Sequence, residues 1–311
     1  MNGRSANAIV FAYHDVGVRG IETLIARGVN IRLIVTHEDD PAESRWFASV
    51  ADCARRYGIE TVAPKPGELP ALASRLAAYA PHFIFSFYYR YLIPSKLLES
   101  ARRGALNLHG SLLPRYRGRA PVNWAVLAGE AETGASLHYM TARADAGDLV
   151  AQEAVPILPN DTAAEVMAKV AVAGERLLWR YVPELIAGTA PRAALDLAAG
   201  NYRGRRRPED GRIDWSQGAW PIHNLIRAVA PPYPGAFTDW RGRRLNLLRS
   251  HFQHEPAREN RVALYAEAAH IYADCADGLR FEVLKCTLDG EPLSRASLLR
   301  LTGGEPLVPG A

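Results

Sequence analysis

The run Ala8-Ile9-Val10-Phe11-Ala12-Tyr13 is followed by Ile21-Glu22-Thr23-Leu24-Ile25-Ala26 and then by Ile31-Arg32-Leu33-Ile34-Val35-Thr36. The first and third stretches are short and apolar, as buried strands are, whereas the second spaces its apolar residues as a helix does. The alternation continues outward. A helix is expected near Trp46 to Tyr57, a strand at Glu60-Thr61-Val62, a helix near Leu69 to Ala80 and a strand at His82-Phe83-Ile84-Phe85-Ser86-Phe87. This pattern predicts an α/β domain with a Rossmann-like, mostly parallel sheet and right-handed crossovers. The Gly-x-Gly-x-x-Gly phosphate loop is missing after the first strand, where His14-Asp15-Val16-Gly17-Val18-Arg19-Gly20 stands, and no Walker-type loop occurs. A nucleotide cofactor held in the Rossmann manner is therefore not expected.

Further along, Gly104-Ala105-Leu106-Asn107-Leu108 reads as a buried strand that ends in His109-Gly110-Ser111-Leu112-Leu113-Pro114. Asn107 and His109 lie two positions apart, so their side chains share one face at the carboxyl end of the strand, where open parallel sheets bind ligands. Asp145-Ala146-Gly147-Asp148 can deliver a carboxylate from a later segment. Such a carboxylate would favour the protonated imidazole, and an Asn amide beside it could donate to a developing oxyanion. These are the parts of an acyl-transfer site without a covalent intermediate or a metal. The plainer alternatives are a structural histidine at His109, a turn-forming role for Asp145, and aromatic packing for Tyr88, Tyr89 and Tyr91. Ser111 lacks the following x-Gly of a nucleophile elbow, so loop hydrogen bonding is its expected role. His14, Asp15 and His138 are too scattered to predict a metal site.

Pro121 to Gly129 reads as a helix opened by proline, Thr133 to Met140 and Asp148 to Ile157 as strands, and Asp161 to Ile186 as a long helix capped by Asn160 or Asp161. The stretch from Ala187 to Pro208 loses all periodicity and is expected to link two domains, 1–203 and 204–311. A helix near Trp215 to Val229 and β-like runs at Leu245–Leu248, Val262–Tyr265, Ile271–Ala273 and Leu279–Cys286 predict a small open, OB-like β-barrel for the second.

Composition agrees with two globular domains. The chain has 311 residues, 48% hydrophobic and 23% charged, with no apolar stretch of membrane-spanning length and no signal-like segment after Met1. A cytoplasmic protein is expected, with no membrane partner. A net charge of +4 suits an anionic small molecule and falls short of a nucleic-acid-binding chain. The basic run Arg203-Gly204-Arg205-Arg206-Arg207 reads as a solvated surface turn, with a phosphate contact as the alternative. Cys53, Cys275 and Cys286 are far apart, odd in number and read as packing residues.

The ordered motifs Leu106 to Pro121, Gly129-Glu130-Ala131-Glu132-Thr133-Gly134, Asp145-Ala146-Gly147-Asp148 and Pro232-Tyr233-Pro234-Gly235-Ala236-Phe237 strongly resemble the folate-dependent formyltransferases, over nearly the whole chain. Within that family the likeness is closest to the enzymes that formylate UDP-4-amino-4-deoxy-L-arabinose, through Phe11 to Asp15, Phe85 to Arg90 and Arg115 to Arg119. The resemblance implies 10-formyltetrahydrofolate as donor, held by Tyr91, Leu92 and Ile93 with Arg119 and the segment Thr141-Ala142-Arg143-Ala144-Asp145. It implies Asn107, His109 and Asp145 as catalytic residues and a UDP-linked amino sugar as acceptor, for lipid A modification and polymyxin resistance. The acidic segment Glu38-Asp39-Asp40-Pro41-Ala42-Glu43 stands where methionyl-tRNA enzymes carry a basic loop, and acidic residues repel RNA. Some enzymes of the UDP-sugar group also carry an NAD-dependent decarboxylase, and the missing dinucleotide fingerprint predicts that this activity is absent. Methionyl-tRNA or another nucleotide sugar remains the alternative acceptor.

Overall fold

The structure is a computed structural model and describes residues 6–38, 46–259 and 261–309. The acidic segment quoted above lies outside them from Asp39 onward. By internal contacts the chain divides into two compact units. The first comprises Met1–Pro121, Thr133–Val155 and Ala168–Gly204, and the second Val122–Glu132, Pro156–Met167 and Arg205–Ala311.

The first half of the chain alternates as its periodicity predicts. Its elements are β1 (Asn7–Ala12), α1 (His14–Ala26), β2 (Asn30–Val35), α2 (Val50–Arg56), β3 (Thr61–Val62), α3 (Ala73–Ala78), β4 (Phe83–Phe87), α4 (Ser95–Leu98) and β5 (Ala105–His109). They are followed by β6 (Arg117–Gly118), α5 (Pro121–Leu127), β7 (Glu132–Tyr139), β8 (Leu149–Pro156), α6 (Ala163–Ala187) and β9 (Tyr202–Arg203). A seven-stranded sheet has the order β3-β2-β1-β4-β5-β7-β8. It is parallel from β3 through β5, and β7 pairs antiparallel with β5. The chain steps outward from β1 to β3 and returns to β4 beside β1, so the carboxyl ends of β1 and β4 flank the switch-point crevice. Phe11, Phe83, Phe85 and Phe87 are fully buried, each contributing about 1.5–3 kcal/mol by leaving water. Gly20 lets α1 lie directly on the sheet, since a β-carbon there would sit 2.5 Å from the Phe87 ring.

Several boundaries differ from expectation for local reasons. Helix α2 begins at Val50 rather than near Trp46, because the Ser49 hydroxyl accepts from the Asp52 N–H and sets the start. The helix expected over Leu69 to Ala80 is a 3₁₀ segment, Pro66–Leu72, followed by α3; Pro70 has no N–H to give an α-helical ladder. The long helix is capped by Thr162 rather than Asn160 or Asp161. Thr162 Oγ1 accepts from the Glu165 N–H at 3.3 Å, and Glu165 accepts back from the Thr162 N–H at 2.7 Å. The aperiodic stretch after α6 is tied down: Ala193 bridges to Leu149, and β9 pairs with β6.

The second unit adds α7 (Ala219–Ala228), β10 (Ala236–Trp240), β11 (Arg243–Pro256), β12 (Ala263–Glu267), β13 (His270–Asp274), β14 (Leu279–Leu288), β15 (Glu291–Pro292) and α8 (Arg295–Thr302). Its sheet runs β10-β11-β14-β13-β12, antiparallel throughout, with β15 on β14. Helix α7 starts at Ala219 rather than Trp215, where the Asp277 carboxylate accepts the Ala219 N–H at 3.0 Å. Its Ile222 and Ile226 join Leu245, Leu247, Phe281 and Val283 in one buried core. Among the described residues no helix is long and apolar enough to cross a membrane.

Candidate active site

Strand β5 carries Asn107 and His109 to its carboxyl end on one face, and β7 places His138 directly opposite Asn107. The turn after β7 brings Asp145 back over all three. Asp145 adopts φ 51°, a left-handed conformation, and the following Gly147 packs so closely on the Tyr139 carbonyl that a β-carbon would collide with it. A non-glycine residue held there costs about 1–3 kcal/mol of local strain, which the surrounding contacts offset.

One carboxylate oxygen is the hub. Asp145 Oδ1 lies 3.4 Å from Asn107 Nδ2, 3.5 Å from His109 Nδ1 and 3.6 Å from His138 Nε2. The other, Oδ2, accepts the Gly118 N–H at 2.9 Å. His109 is 6% exposed and places Nε2 2.9 Å from the Tyr116 carbonyl. His138 places Nδ1 2.9 Å from the Tyr139 carbonyl, so Nδ1 carries the proton and Nε2 accepts from Asn107 Nδ2 at 3.2 Å. The two N–H groups of Asn107 are thus engaged by His138 and Asp145. Donating to an oxyanion requires Asn107 to release the longer of these contacts.

Burial lowers the His109 pKa, and His138 adds to this; the Asp145 carboxylate and the Tyr116 carbonyl oppose it. Burial alone would raise the Asp145 carboxyl, but His109, His138 and the Gly118 N–H together hold it well below the usual carboxylate range. The expectation that Asp145 lifts His109 toward neutrality is met only in sense: burial is the larger effect. Oxygen acceptors at both ring nitrogens favour the imidazolium against this burial, and its charge in turn favours the ionised Asp145.

His138 is the member that sequence reasoning left among scattered histidines, and its signal was the antiparallel register of β7 on β5. Ser111 is buried and donates to the Arg115 carbonyl at 2.6 Å, a loop-bracing role. His14 and Asp15 stand together at the start of α1, away from His138, and among the described residues no group of three or more His, Cys, Asp or Glu side chains is placed to hold a metal. Arg119 is exposed, with its guanidinium 3.4 Å from the Arg90 carbonyl. Tyr91 and Ile93 are half-buried and pack on the β1–β2–β4 core, while Leu92 is 78% exposed. Tyr89 stacks on His37 at 4.3 Å and Tyr91 meets that ring edge-on at 4.6 Å, so these two tyrosines do pack aromatically. His37 accepts the Arg90 N–H, and burial with the Arg90 charge lowers its pKa to about 4. Thr141, Ala142 and Arg143 are exposed and Ala144 half-buried, forming the approach to Asp145.

The α/β sheet followed by an antiparallel β unit is a fold shared with known proteins. Residues 8–182 match the formyl transferase family and residues 206–298 match the formyl transferase C-terminal domain. The chain belongs to the formyl transferase family. Solved structures of the same fold include the N-formyltransferase from Helicobacter canadensis in complex with folinic acid and dTDP-3-aminofucose, at 19% identity over 90% of this chain and 98% of that one, TM-score 0.71. A 4-N formyltransferase from Francisella tularensis is similar at 20% identity over 76% and 94%, TM-score 0.62. HypX from Aquifex aeolicus in complex with tetrahydrofolic acid matches at 17% identity over 94% of this chain and 46% of that one, TM-score 0.64.

Proposed function

We propose that the chain transfers the formyl group of 10-formyltetrahydrofolate to the amine of a nucleotide-linked amino sugar. The observation that carries this reading is the convergence of Asn107, His109 and Asp145 at the end of β5, in a chain with both halves of the formyl transferase family. Solved relatives of the same fold hold folates, and one holds a dTDP-amino sugar.

The donor's pterin lies against Tyr91, Leu92 and Ile93, of which Leu92 is 78% exposed and the other two are half-buried. Arg119 and residues 141–145 complete this cleft. Folate supplies the activated formyl group when bound. The amine nitrogen forms the new C–N bond as the bond from the formyl carbon to the folate nitrogen breaks. His109 takes the proton from the attacking amine and passes it to the departing nitrogen. Asp145 stabilises the imidazolium in between, and Asn107 donates to the formyl oxygen as negative charge develops there.

The finer acceptor is UDP-4-amino-4-deoxy-L-arabinose, on the strength of Phe11 to Asp15, Phe85 to Arg90 and Arg115 to Arg119, with a cytoplasmic role in lipid A modification and polymyxin resistance. The test supplies 10-formyltetrahydrofolate with UDP-4-amino-4-deoxy-L-arabinose, dTDP-3-aminofucose and methionyl-tRNA in turn, and weighs each product. A formyl mass gain on the UDP-sugar supports the whole proposal. Gain only on the dTDP-sugar retains the reaction and removes the UDP acceptor. Formylation of methionyl-tRNA alone, or formate release without any acceptor, overturns the amino-sugar reading.

A further inference from the structure

Between β5 and α5, residues 116–119 form a ribbon with two working edges. Arg117 and Arg119 donate their N–H groups to the carbonyls of Asn201 at 3.1 Å and Arg203 at 2.9 Å. Gly118, at φ 100°, turns its N–H the other way and donates it to Asp145 Oδ2 at 2.9 Å. Tyr116 adopts φ 55°, a left-handed conformation that an aromatic residue keeps only when its surroundings enforce it. Its N–H turns to the Asn201 side chain, 2.6 Å from Oδ1, while its carbonyl stays 2.9 Å from His109 Nε2. Asn201 thus accepts two consecutive N–H groups, one on its side chain and one on its main chain. The preceding Gly200 lies so close to the Pro114 carbonyl that a β-carbon would collide with it.

Core packing does not account for this attachment. Both residues of β9 are exposed, Tyr202 by 60%, so the segment is held on the ribbon by its hydrogen bonds. The geometry points to Asn201 as a positioning residue for the proton-transfer pair: it fixes Tyr116 in the conformation that sets one carbonyl against His109 and one N–H, that of Gly118, against Asp145. It does this from a segment 85 positions away in sequence.

The groups facing His109 are the Asp145 carboxylate from the turn after β7, His138 from β7 and the Tyr116 carbonyl from the ribbon. The Tyr116 carbonyl favours the protonated ring, so releasing it moves the His109 pKa down. The test is Asn201→Ala beside Asn201→Asp, which keeps an acceptor for the Tyr116 N–H. His109 is titrated by NMR, its signals assigned by their loss in His109→Ala, and kcat and KM for folate are measured separately. In Asn201→Ala the His109 titration moves to lower pH and kcat falls about tenfold or more, with KM within about twofold, as expected when a catalytic group is displaced and folate binding is left intact. Asn201→Asp restores most of kcat. Should Asn201→Ala fail to fold, Asn201→Ser, which shortens the acceptor, is compared in the same way. An unchanged His109 titration in a folded Ala or Ser variant overturns the inference, as does an Asp variant as impaired as the Ala one. Only kcat and KM rest on the proposed formyl transfer; the titration is read without any acceptor, so a failure of the proposed function leaves it standing.

Discussion

Two buried histidines, one in each unit, set the imidazole proposed for proton transfer beside a structural one. His109 lies between the Tyr116 carbonyl and the Asp145 carboxylate, and His223 between the Pro159 carbonyl at 3.0 Å and the Ser250 hydroxyl at 2.8 Å. Burial lowers the pKa of both. At His223 the nearby Arg227 and His251 push further in the same direction, to about 4, whereas at His109 a carboxylate pushes back. His223 is locked neutral and serves as a hydrogen-bond bridge. His109 instead has a counter-charge in place for its protonated form. Burial does not distinguish the two; the sign of the charge beside each does.

Making His109 resemble His223 puts this contrast to the test. Asp145→Asn removes the opposing charge and keeps the shape, so kcat is expected to fall about a thousandfold while the thermal melt changes little. A kcat within tenfold of wild type would show that the carboxylate is a turn residue. Asn107→Ala takes away the amide donor but leaves the pair, and its expected cost is about a hundredfold in kcat. Residual activity of Asn107→Ala equal to that of Asp145→Asn would instead make the amide and the carboxylate one inseparable unit. The converse change is His223→Ala, which strands the Ser250 hydroxyl and the Pro159 carbonyl. It should lower stability by about 2–3 kcal/mol in denaturant melts, with kcat per folded molecule within about twofold. Loss of turnover without loss of stability would refute the structural role.

The last expected effect is graded by pH. His37 and His223 both have folded pKa values near 4 against 6.5 for the unfolded chain, so between those values the unfolded state binds more protons. Stability is then full above pH 6.5 and falls as pH drops toward 4, by at most about 3 kcal/mol for each group. Melts from pH 7 to pH 4.5 follow it, and the His223→Ala variant should show a shallower slope than wild type. A variant slope equal to that of wild type would mean that His223 titrates normally.

How much of this was legible in the sequence depended on the range of the interaction. Asn107 and His109 were readable as a pair because alternation along one strand is a local rule. Asp145 was readable as a carboxylate for His109 through its place in a family motif, with a turn-forming role as the alternative. His138 was not, because its place opposite Asn107 is set by a register between strands 31 positions apart in sequence. The Thr162 cap had its signal in plain view, Thr162 followed three residues later by Glu165, but the neighbouring Asn160 and Asp161 offered equally good capping chemistry. They are used elsewhere: Asp161 accepts the Leu158 N–H and Asn160 accepts the Phe252 N–H. The 3₁₀ segment around Pro70 reflects a missing donor inside an otherwise helical apolar pattern.

The pairing of β6 with β9 also sets an order of events in folding. A nascent chain that has emerged only as far as the end of α6 already contains Asn107, His109, His138 and Asp145. It still lacks residues 201–203, which hold the ribbon carrying the Tyr116 carbonyl and the Gly118 N–H. Closing that ring spans 85 residues, a long-range contact with the loop-closure cost that such a separation carries. A chain that stops at α6 therefore holds all four of these side chains without the segment that fixes the ribbon beside the proposed proton-transfer pair.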